Sequence, residues 1–326
     1  MTFRNNRIFQ NASVETPLVT VIVPNYNYAR YLDLRMVSII NQTYENYEII
    51  ILDDNSTDDS ITVINKYTNH PKVSKVIINE ENSGSPFIQW QKGISEAAGD
   101  IIWIAESDDT CSPTFLSSLV KGYVESNSVI AFCRSILVDE KGEKLRENHQ
   151  MRSVTSNLSI DGKAFISQYL GFANEVQNAS SAIFSRDVAL SIDKDYMNFK
   201  GAGDWLFWIK MSERGNVYFL NDELNNYRLH NNTTSSVVKS GEEFIEMKAI
   251  YEWLFKNHYL NSHQFDTCRR NNIKLISTQK EIPLDVKREL YNMWSVPMTY
   301  RCFIQMRKIY GYARAFFCSV NTVFNR

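Results

Sequence analysis

The sequence predicts an α/β protein, in which a Rossmann-like, mostly parallel sheet is flanked by helices and followed by a helical C-terminal region. Three observations support this fold class. Short apolar runs of strand length alternate with segments of helical periodicity over the first third of the chain. Polar clusters come directly after three of those runs. From about Gly241 onward, apolar residues recur at helical spacing.

The alternation of strands and helices is clearest before residue 110. Predicted strands cover Thr20–Val23, Glu48–Leu52, Val73–Ile78 and Ile101–Ala105, and predicted helices cover about residues 31–42, 58–67 and 86–98. Pro86 suits a first helical turn, because its ring presets a helical φ and it has no N–H to satisfy. Strands joined through helices pair in parallel, so we expect the carboxyl ends of these strands at one ligand-binding edge.

The middle of the chain is less regular. It contains predicted strands at Val129–Val138, Val217–Leu220 and Leu224–Arg228, and predicted helices at Asp161–Leu170 and Asp204–Ser212. The polar stretch His230–Gly241 is predicted to link a first domain, residues 1–236, to a helical region, residues 241–326.

Composition limits the class of protein. The chain has 326 residues, 44% of them hydrophobic, and a net charge of −2, so we expect a real core and no nucleic-acid partner. Five cysteines without CxxC spacing indicate a reduced, cytoplasmic protein. The first 15 residues lack the apolar core of a signal peptide, and no apolar run reaches spanning length, so we expect no membrane-spanning helix.

The C-terminal tail differs in charge from the rest. Residues 285–326 carry seven basic and two acidic side chains, a net charge of +5. An apolar stripe runs through it at helical spacing: Phe303, Met306, Tyr310, Ala313, Phe317, Val320 and Phe324. This pattern suits a peripheral helix on the anionic inner face of a membrane. It equally suits a helix packed on the protein's own core.

Two acidic clusters lie where predicted strands end. Carboxylates in Glu106-Ser107-Asp108-Asp109 suit Mg²⁺ or Mn²⁺, and such an ion neutralises a diphosphate. A carboxylate in Asp53-Asp54-Asn55-Ser56 suits a nucleobase N–H or a ribose hydroxyl. Each cluster alone also fits an ordinary Asx turn or helix cap.

The order of these pieces resembles glycosyltransferase family 2, whose members have the GT-A fold. The matching segments are Val21-Ile22-Val23-Pro24-Asn25-Tyr26-Asn27, Gln42-Thr43-Tyr44, Leu52-Asp53-Asp54-Asn55-Ser56, Asn82-Ser83-Gly84, Ala98-Gly99-Asp100 and Trp103-Ile104-Ala105-Glu106-Ser107-Asp108-Asp109. The resemblance covers residues 19–110 and extends to about residue 236. It implies an inverting transferase that uses a nucleoside-diphosphate sugar, of the UDP type, and a divalent metal.

The resemblance also implies site residues in the first half of the chain. The donor-binding residues carried over are Pro24, Tyr26, Asn27, Asp54, Gly84, Glu106 and Ser107. Asp108 is the expected metal ligand. Glu106 replaces the family's usual aspartate, so it is also a candidate for the donor sugar. Trp90-Gln91 stands where the family often has Arg-Asn, and a phosphate contact from that arginine is therefore missing.

Two further motifs lie in the second half. Gly203-Asp204-Trp205 resembles the family's second acidic motif, which makes Asp204 the expected general base; alone it would suit a helix cap. Tyr227-Arg228-Leu229-His230 resembles the segment that ends the catalytic domain. It implies a diphosphate contact for Arg228 and a metal-ligand role for His230.

The resemblance implies a transferase acting on a glycan or lipid-linked acceptor, with surface polysaccharide synthesis as the expected context. A non-catalytic binder of nucleotide sugars or glycans on the same fold is the alternative, although keeping Asp108, Asp204 and His230 together argues against it. A nucleotidyltransferase would need a Gly-rich phosphate loop after the first strand, and Pro24-Asn25-Tyr26-Asn27 is not such a loop.

Overall fold

A computed structural model describes residues 16–146, 148–230 and 240–294. Its strands are β1 (Val19–Asn25), β2 (Tyr47–Asp53), β3 (Val73–Ile78), β4 (Ile101–Ile104), β5 (Thr110–Cys111), β6 (Ser128–Val138), β7 (Lys144–Arg146), β8 (Leu158–Ile160), β9 (Ala182–Ser185) and β10 (Asn216–Arg228). Its helices are α1 (Ala29–Ile40), α2 (Ser60–Asn65), α3 (Pro86–Glu96), α4 (Phe115–Glu125), α5 (Gly162–Phe165), α6 (Arg186–Ser191), α7 (Gly203–Ser212), α8 (Glu242–Lys256), α9 (Ser262–Thr278) and α10 (Leu284–Met293). A π-helical turn, Ile166–Leu170, continues α5, and 3₁₀ turns cover Ala179–Ser181 and Asp195–Asn198.

The strands form one mixed sheet in the order β3-β2-β1-β4-β9-β6-β10-β5. Strands β1 to β4 pair in parallel, and β6 pairs in parallel with β10. Strand β9 lies between these halves and runs antiparallel to both β4 and β6. Because β9 is antiparallel to both of its neighbours, β6 and β10 run in the same direction as β4. The carboxyl ends of β6 and β10 therefore lie at the same edge of the sheet as those of β1 to β4. The predicted α/β class with helices beside a central sheet is confirmed.

The core of the sheet explains why these segments fold as they do. Every residue of β1 is buried, and α1 turns Leu32, Met36 and Ile39 onto the sheet. Trp103 of β4 stacks on Phe115 of α4, with ring centroids 4.5 Å apart. Full burial of such side chains stabilises the fold by about 1.5–3 kcal/mol each, before the cost of ordering the chain.

The prediction of two separate strands at 217–220 and 224–228 is wrong, because both belong to β10. The pairing of β10 with β6 shifts register between Leu220 and Glu223. A bulge of this kind interrupts the alternation of buried and exposed side chains without ending the strand. The polar residues in between therefore imitate a turn.

The described residues fall into two compact units. The first comprises residues up to Met197 together with Phe207–Leu229, and it contains the sheet. The second comprises Asn198–Leu206 and the residues from His230 onward. In the second unit, apolar side chains of α8 and α9 are fully buried, among them Ile250, Leu254 and Ile273.

Some predictions fall on residues that the structure does not describe. The expected linker lies mostly within 231–239, so the domain boundary there stays a prediction. The amphipathic stripe of the tail, residues 303–324, also lies outside the described residues. Within the described ranges, no helix has both the length and the apolarity needed to cross a bilayer.

Candidate functional site

Three loops at the carboxyl ends of β1, β2 and β4 are hydrogen-bonded into one surface. Asn25 Nδ2 donates to Asp53 Oδ1 (2.8 Å), and the Asp54 amide donates to the Asn25 carbonyl (2.9 Å). Ser107 Oγ donates to the Pro24 carbonyl at 2.6 Å. The structure therefore brings the loops of the two acidic clusters to one edge, where open α/β sheets bind ligands.

Asp54 is buried at this edge and accepts four hydrogen bonds. Its Oδ1 accepts from Asn79 Nδ2, the Ser83 amide and Gln89 Nε2, and its Oδ2 accepts from Ser83 Oγ. A carboxylate has about four acceptor sites, two on each oxygen. Oδ2, which has one donor, therefore keeps acceptor capacity for a nucleobase N–H, while Oδ1 is occupied by its three donors.

The other donor-binding candidates of this half have distinct environments. Asn27 has a positive φ of 58°, and its Oδ1 accepts from the Thr57 amide at 2.7 Å. Asn27 therefore holds the loop after β2. Tyr26 is 45% exposed. Gly84 has φ +73° with open space around it, so a side chain there is opposed by backbone strain rather than by crowding.

We call Glu106-Ser107-Asp108-Asp109, after β4, the acidic loop. Its last residue, Asp109, is buried and accepts hydrogen bonds from two segments that are distant in sequence. Its Oδ2 accepts from Asn178 Nδ2 (2.8 Å), and its Oδ1 accepts from the Arg228 amide (2.9 Å). Burial and the charge of Asp108 raise the pKa of Asp109 to about 6. With both oxygens occupied, Asp109 fixes the loop and presents Asp108, which is half-buried.

Glu106 lies on the other side of Asp108 in sequence. Trp90 Nε1 donates to Glu106 Oε1 at 2.8 Å, and the Glu106 amide donates to Ser180 Oγ at 3.0 Å. Burial and the Asp108 charge raise the pKa of Glu106 to about 8, although the Trp90 bond opposes this shift. Burial, Asp108 and Glu106 raise the pKa of Tyr28 to about 12. Trp90, which stands where the family often has arginine, thus orients the Glu106 carboxyl through this hydrogen bond.

Arg35 of α1 is a fully buried cation beneath this loop, and the sequence reasoning missed it. Its guanidinium carbon lies 4.8 Å from the centre of the Trp103 ring. Its charge lowers the pKa of both Glu106 and Asp109, against the larger effect of burial. A detectable signal exists, because an arginine on the apolar face of a predicted amphipathic helix requires a buried partner.

Arg228 of β10 is buried and bonded to the backbone. Its Nε donates to the Asp108 carbonyl (2.7 Å) and its Nη1 to the Asp139 carbonyl (2.6 Å). Its guanidinium also lies 4.6 Å from the centre of the Tyr31 ring. The structure thus places Arg228 against the acidic loop, where it positions the loop backbone. A diphosphate contact stays a prediction.

The acidic loop fits a divalent metal that arrives with a substrate. Asp108 raises the pKa of both neighbouring carboxyls, and a cation would relieve this crowding of like charge. Across residues 16–146, 148–230 and 240–294, no three His, Cys, Asp or Glu side chains are grouped to hold an ion by themselves. Mg²⁺ and Mn²⁺ sites often use one or two carboxylates and take their other ligands from phosphates and water.

Asp204 and His230, the other predicted site residues, belong to the second unit. Asp204 lies in the first turn of α7, half-buried, with Oδ1 accepting from the Trp205 amide at 2.7 Å. The preceding turn is held by Glu246 of α8, whose carboxylate accepts from the amides of Lys200, Gly201 and Ala202 at 2.5, 3.0 and 2.8 Å. His230 is half-buried and is the last described residue before the stretch 231–239, which the structure does not describe.

The family model named Glycosyl transferase family 2 matches residues 20–191, which is more than half of the chain. The chain belongs to glycosyl transferase family 2. This confirms the resemblance, and the protein is a glycosyltransferase. A Haemophilus influenzae protein named as an uncharacterized glycosyltransferase is 30% identical over 267 residues, covering 80% of each chain. TuaG of Bacillus subtilis, named for teichuronic acid biosynthesis, is 26% identical over 68% of this family 2 chain and 82% of its own length.

Solved structures of transferases share the fold of this family 2 protein. The crystal structure of S. aureus TarS 1-349 in complex with UDP-GlcNAc gives a TM-score of 0.64 at 20% identity, covering 86% of this chain and 81% of that one. The Pyrobaculum calidifontis mannosyltransferase PcManGT, in complex with GDP-Man and Mn²⁺, gives 0.55 at 17% identity, covering 90% and 85%. At these identities the likeness establishes the GT-A fold.

Proposed function

We propose that this family 2 enzyme moves a sugar from a UDP-sugar to a glycan or lipid-linked acceptor in surface polysaccharide synthesis, with inversion at the anomeric carbon. One observation carries the proposal: the loop that contains Asp54 and the acidic loop that contains Asp108 are both hydrogen-bonded to the end of β1, which joins them in one surface at the carboxyl edge of the sheet. That arrangement suits a nucleoside at one end and a diphosphate at the other. TarS binds UDP-GlcNAc and TuaG is named for teichuronic acid biosynthesis, which supports this donor and this product class.

Each residue in the proposed mechanism has a separate task. Asp54 Oδ2 accepts from the nucleobase, and Pro24, Tyr26, Asn27 and Gly84 line the nucleoside side. Asp108 would hold a divalent ion, with His230 as the second expected ligand, and such an ion would supply positive charge that stabilises the leaving diphosphate. Ser107 Oγ, bonded to the Pro24 carbonyl, joins the nucleoside and metal loops. Glu106, oriented by Trp90, faces the donor sugar.

Asp204 is the proposed general base. An acceptor hydroxyl is a poor nucleophile near neutral pH, and a carboxylate that removes its proton during attack raises the rate. Attack from the side opposite the leaving diphosphate inverts the anomeric carbon. We expect Asp204→Asn to lower transfer about a hundredfold to ten-thousandfold, with nucleotide affinity nearly unchanged. Calorimetry with UDP beside a transfer assay checks this, and an equal loss of both would show a structural or metal-binding Asp204 instead.

The direct experiment is a screen of nucleotide sugars for hydrolysis with Mn²⁺ present, because it needs no acceptor. Turnover of a UDP-sugar that stops in chelator supports the proposal. Tight nucleotide-sugar binding without turnover of any donor, in the presence of acceptor glycans, would favour the non-catalytic binder. NMR of the transferred anomeric proton then tests inversion.

The place of action is part of the same proposal. A cytoplasmic enzyme that extends a lipid-linked glycan meets its acceptor at the inner membrane face, and the basic, aromatic tail suits that surface. Co-sedimentation with anionic vesicles, for the whole chain and for a deletion of residues 300–326, tests it. If the tail packs on the protein's own core, the whole chain ignores vesicles and the deletion lowers the melting temperature.

A further inference from the structure

Two adjoining cavities of the first unit lie outside the donor site described above. Their volumes are about 440 Å³ and about 240 Å³, and His149 lines both. We call them together the His149 groove. Its lining residues that matter here are Arg146, His149, Arg152, Tyr169, Gln177 and Tyr227.

The His149 groove lies beside the acidic loop. Leu137, near the end of β6, pairs with Tyr227 on β10 and with Arg146 on β7, and these ends share the edge of the sheet with the acidic loop. Gln177 precedes the residue that binds Asp109 Oδ2, and Tyr227 precedes the residue that binds Asp109 Oδ1. One end of the groove is therefore built from the segments that position the acidic loop.

The wall that contains His149 and Arg152 is fixed from below. The Arg134 guanidinium donates to the carbonyls of Gln150, Met151 and Val154. Gln150 and Met151 are buried, whereas His149 and Arg152 on either side of them are exposed. A rigid wall lowers the entropic cost of binding, as a preformed site requires.

The chemistry of the groove is cationic and suited to carbohydrate. Arg146 and Arg152 line the groove, and within the described residues their side chains make no hydrogen bond or ion pair. The carboxylate of Glu175, which also lines the groove, accepts from the Met151 amide (2.6 Å) and is therefore bonded to the groove wall. Burial raises the pKa of Glu175 despite this bond and the nearby charge of Arg134, which disfavours a negative charge at this point of the groove. Tyr169 and Tyr227 offer aromatic surface, and Gln177 offers an amide for sugar hydroxyls.

We propose that the His149 groove is the acceptor site, and that it selects an acceptor glycan with an anionic group, which Arg146 and Arg152 bind. This inference rests on the proposed function, because it deepens the identity of the acceptor. The anionic group is a sugar carboxylate or a phosphate. Each of these groups offers two oxygens to which one guanidinium can donate two parallel hydrogen bonds.

Equilibrium binding of small probes tests the groove without any donor chemistry. The probes are trigalacturonate with its neutral methyl ester, and mannose 6-phosphate with mannose, titrated by NMR at fixed ionic strength. We expect the wild-type protein to prefer at least one anionic probe over its neutral partner about tenfold, as charge-assisted hydrogen bonds allow. A preference within the galacturonate pair identifies a carboxylate site, and a preference within the mannose pair identifies a phosphate site. Rising salt concentration should weaken the preference in either case.

The double variant Arg146→Gln/Arg152→Gln should reduce that preference below about twofold while leaving UDP affinity unchanged. The control Lys121→Gln/Arg214→Gln removes the same charge from exposed positions outside the groove and should keep the preference. If the groove variant unfolds, Arg146→Lys/Arg152→Lys serves in its place and should lower the preference in part.

The proposal is overturned if the wild type distinguishes neither pair, if the preference survives the groove variant, or if the control loses it equally. Failure of the proposed function has a different signature. The nucleotide-sugar screen then shows no turnover, whereas the probe titrations proceed unaffected.

Discussion

Each carboxylate of the site has a different set of hydrogen-bond donors, and those donors decide what it can do. Asp54 has four donors and retains acceptor capacity on Oδ2. Asp109 has a donor on each oxygen and is committed to the loop. Glu106 has Trp90 on one oxygen and a pKa raised to about 8 by burial and Asp108. The three carboxylates are similar in sequence context, but their hydrogen-bond donors give each of them a different role.

The first prediction at this scale concerns Asp54. Asp54→Ala should weaken UDP binding about tenfold, because a buried acceptor for the nucleobase is lost and Asn79 and Gln89 lose theirs. Ser83→Ala removes one donor to Oδ2 and should change the affinity less than about twofold. Calorimetry measures both. Equal losses in the two variants would mean that Asp54 only holds the Ser83 loop.

The second prediction concerns Asp108. Asp108→Asn should abolish turnover and weaken Mn²⁺-dependent UDP binding, because the proposed metal loses a charged ligand. The melting temperature without metal should not fall, since the substitution removes a charge that crowds Glu106 and Asp109. Titration of UDP with and without Mn²⁺ is the measurement. A variant that keeps full activity would exclude Asp108 as the metal anchor.

At the scale of elements, the ends of strands and helices place the chemistry. Strands β1, β2 and β4 end in the loops of the donor site, and β6 and β10 end beside the His149 groove. In the second unit, α8 positions the turn before α7 through Glu246. An element whose interior is ordinary can therefore carry function at its end.

The prediction at this scale concerns Glu246. Glu246→Ala removes the acceptor of three backbone amides, so stability should fall by about 2–4 kcal/mol, and kcat should fall because the turn that carries Asp204 loosens. Glu252→Ala on the same helix removes an exposed partner of Lys248 and should cost less than about 1 kcal/mol. Urea denaturation and a transfer assay compare them. Similar stability in the two variants would contradict the role of Glu246.

At the scale of the whole molecule, the crowded carboxyls link stability to pH. Burial and the Asp108 charge raise the pKa of Glu106 to about 8 and that of Asp109 to about 6. In the pH range between the ordinary carboxyl pKa of about 4 and these raised values, the folded protein therefore binds more protons than the unfolded chain. Stability from these groups therefore falls as pH rises from about 4 to 8. A divalent ion at Asp108 should oppose this loss.

The corresponding prediction uses melting temperatures. In chelator, wild-type protein should melt at a lower temperature at pH 8.5 than at pH 6, and Glu106→Gln should reduce that difference because it removes one titrating group. Mn²⁺ should raise the melting temperature more at the higher pH. Other carboxyls titrate in both proteins, so the comparison between them isolates Glu106. Identical slopes would show that Glu106 keeps an ordinary pKa.

The sequence by itself determined the first half of the sheet. The pattern of apolar and polar residues is local, so β1 to β4 and α1 to α3 appear within a few residues of their predicted bounds. The polar clusters after β2 and β4 lie at one edge as expected, because parallel strands end together. The continuous strand β10 was missed, since its bulge breaks the local alternation on which such predictions depend.

Only the tertiary structure decided which distant residues meet these loops. Asn178 binds Asp109 across 69 residues, and Arg228 does so across 119. Strand β9 reverses direction between β4 and β6 and so brings the ends of β6 and β10 to the same edge. Arg35 is buried near the acidic loop, with its guanidinium over the Trp103 ring and its charge acting on Asp109. Such contacts follow from strand order and packing, which bring together residues that no local sequence pattern connects.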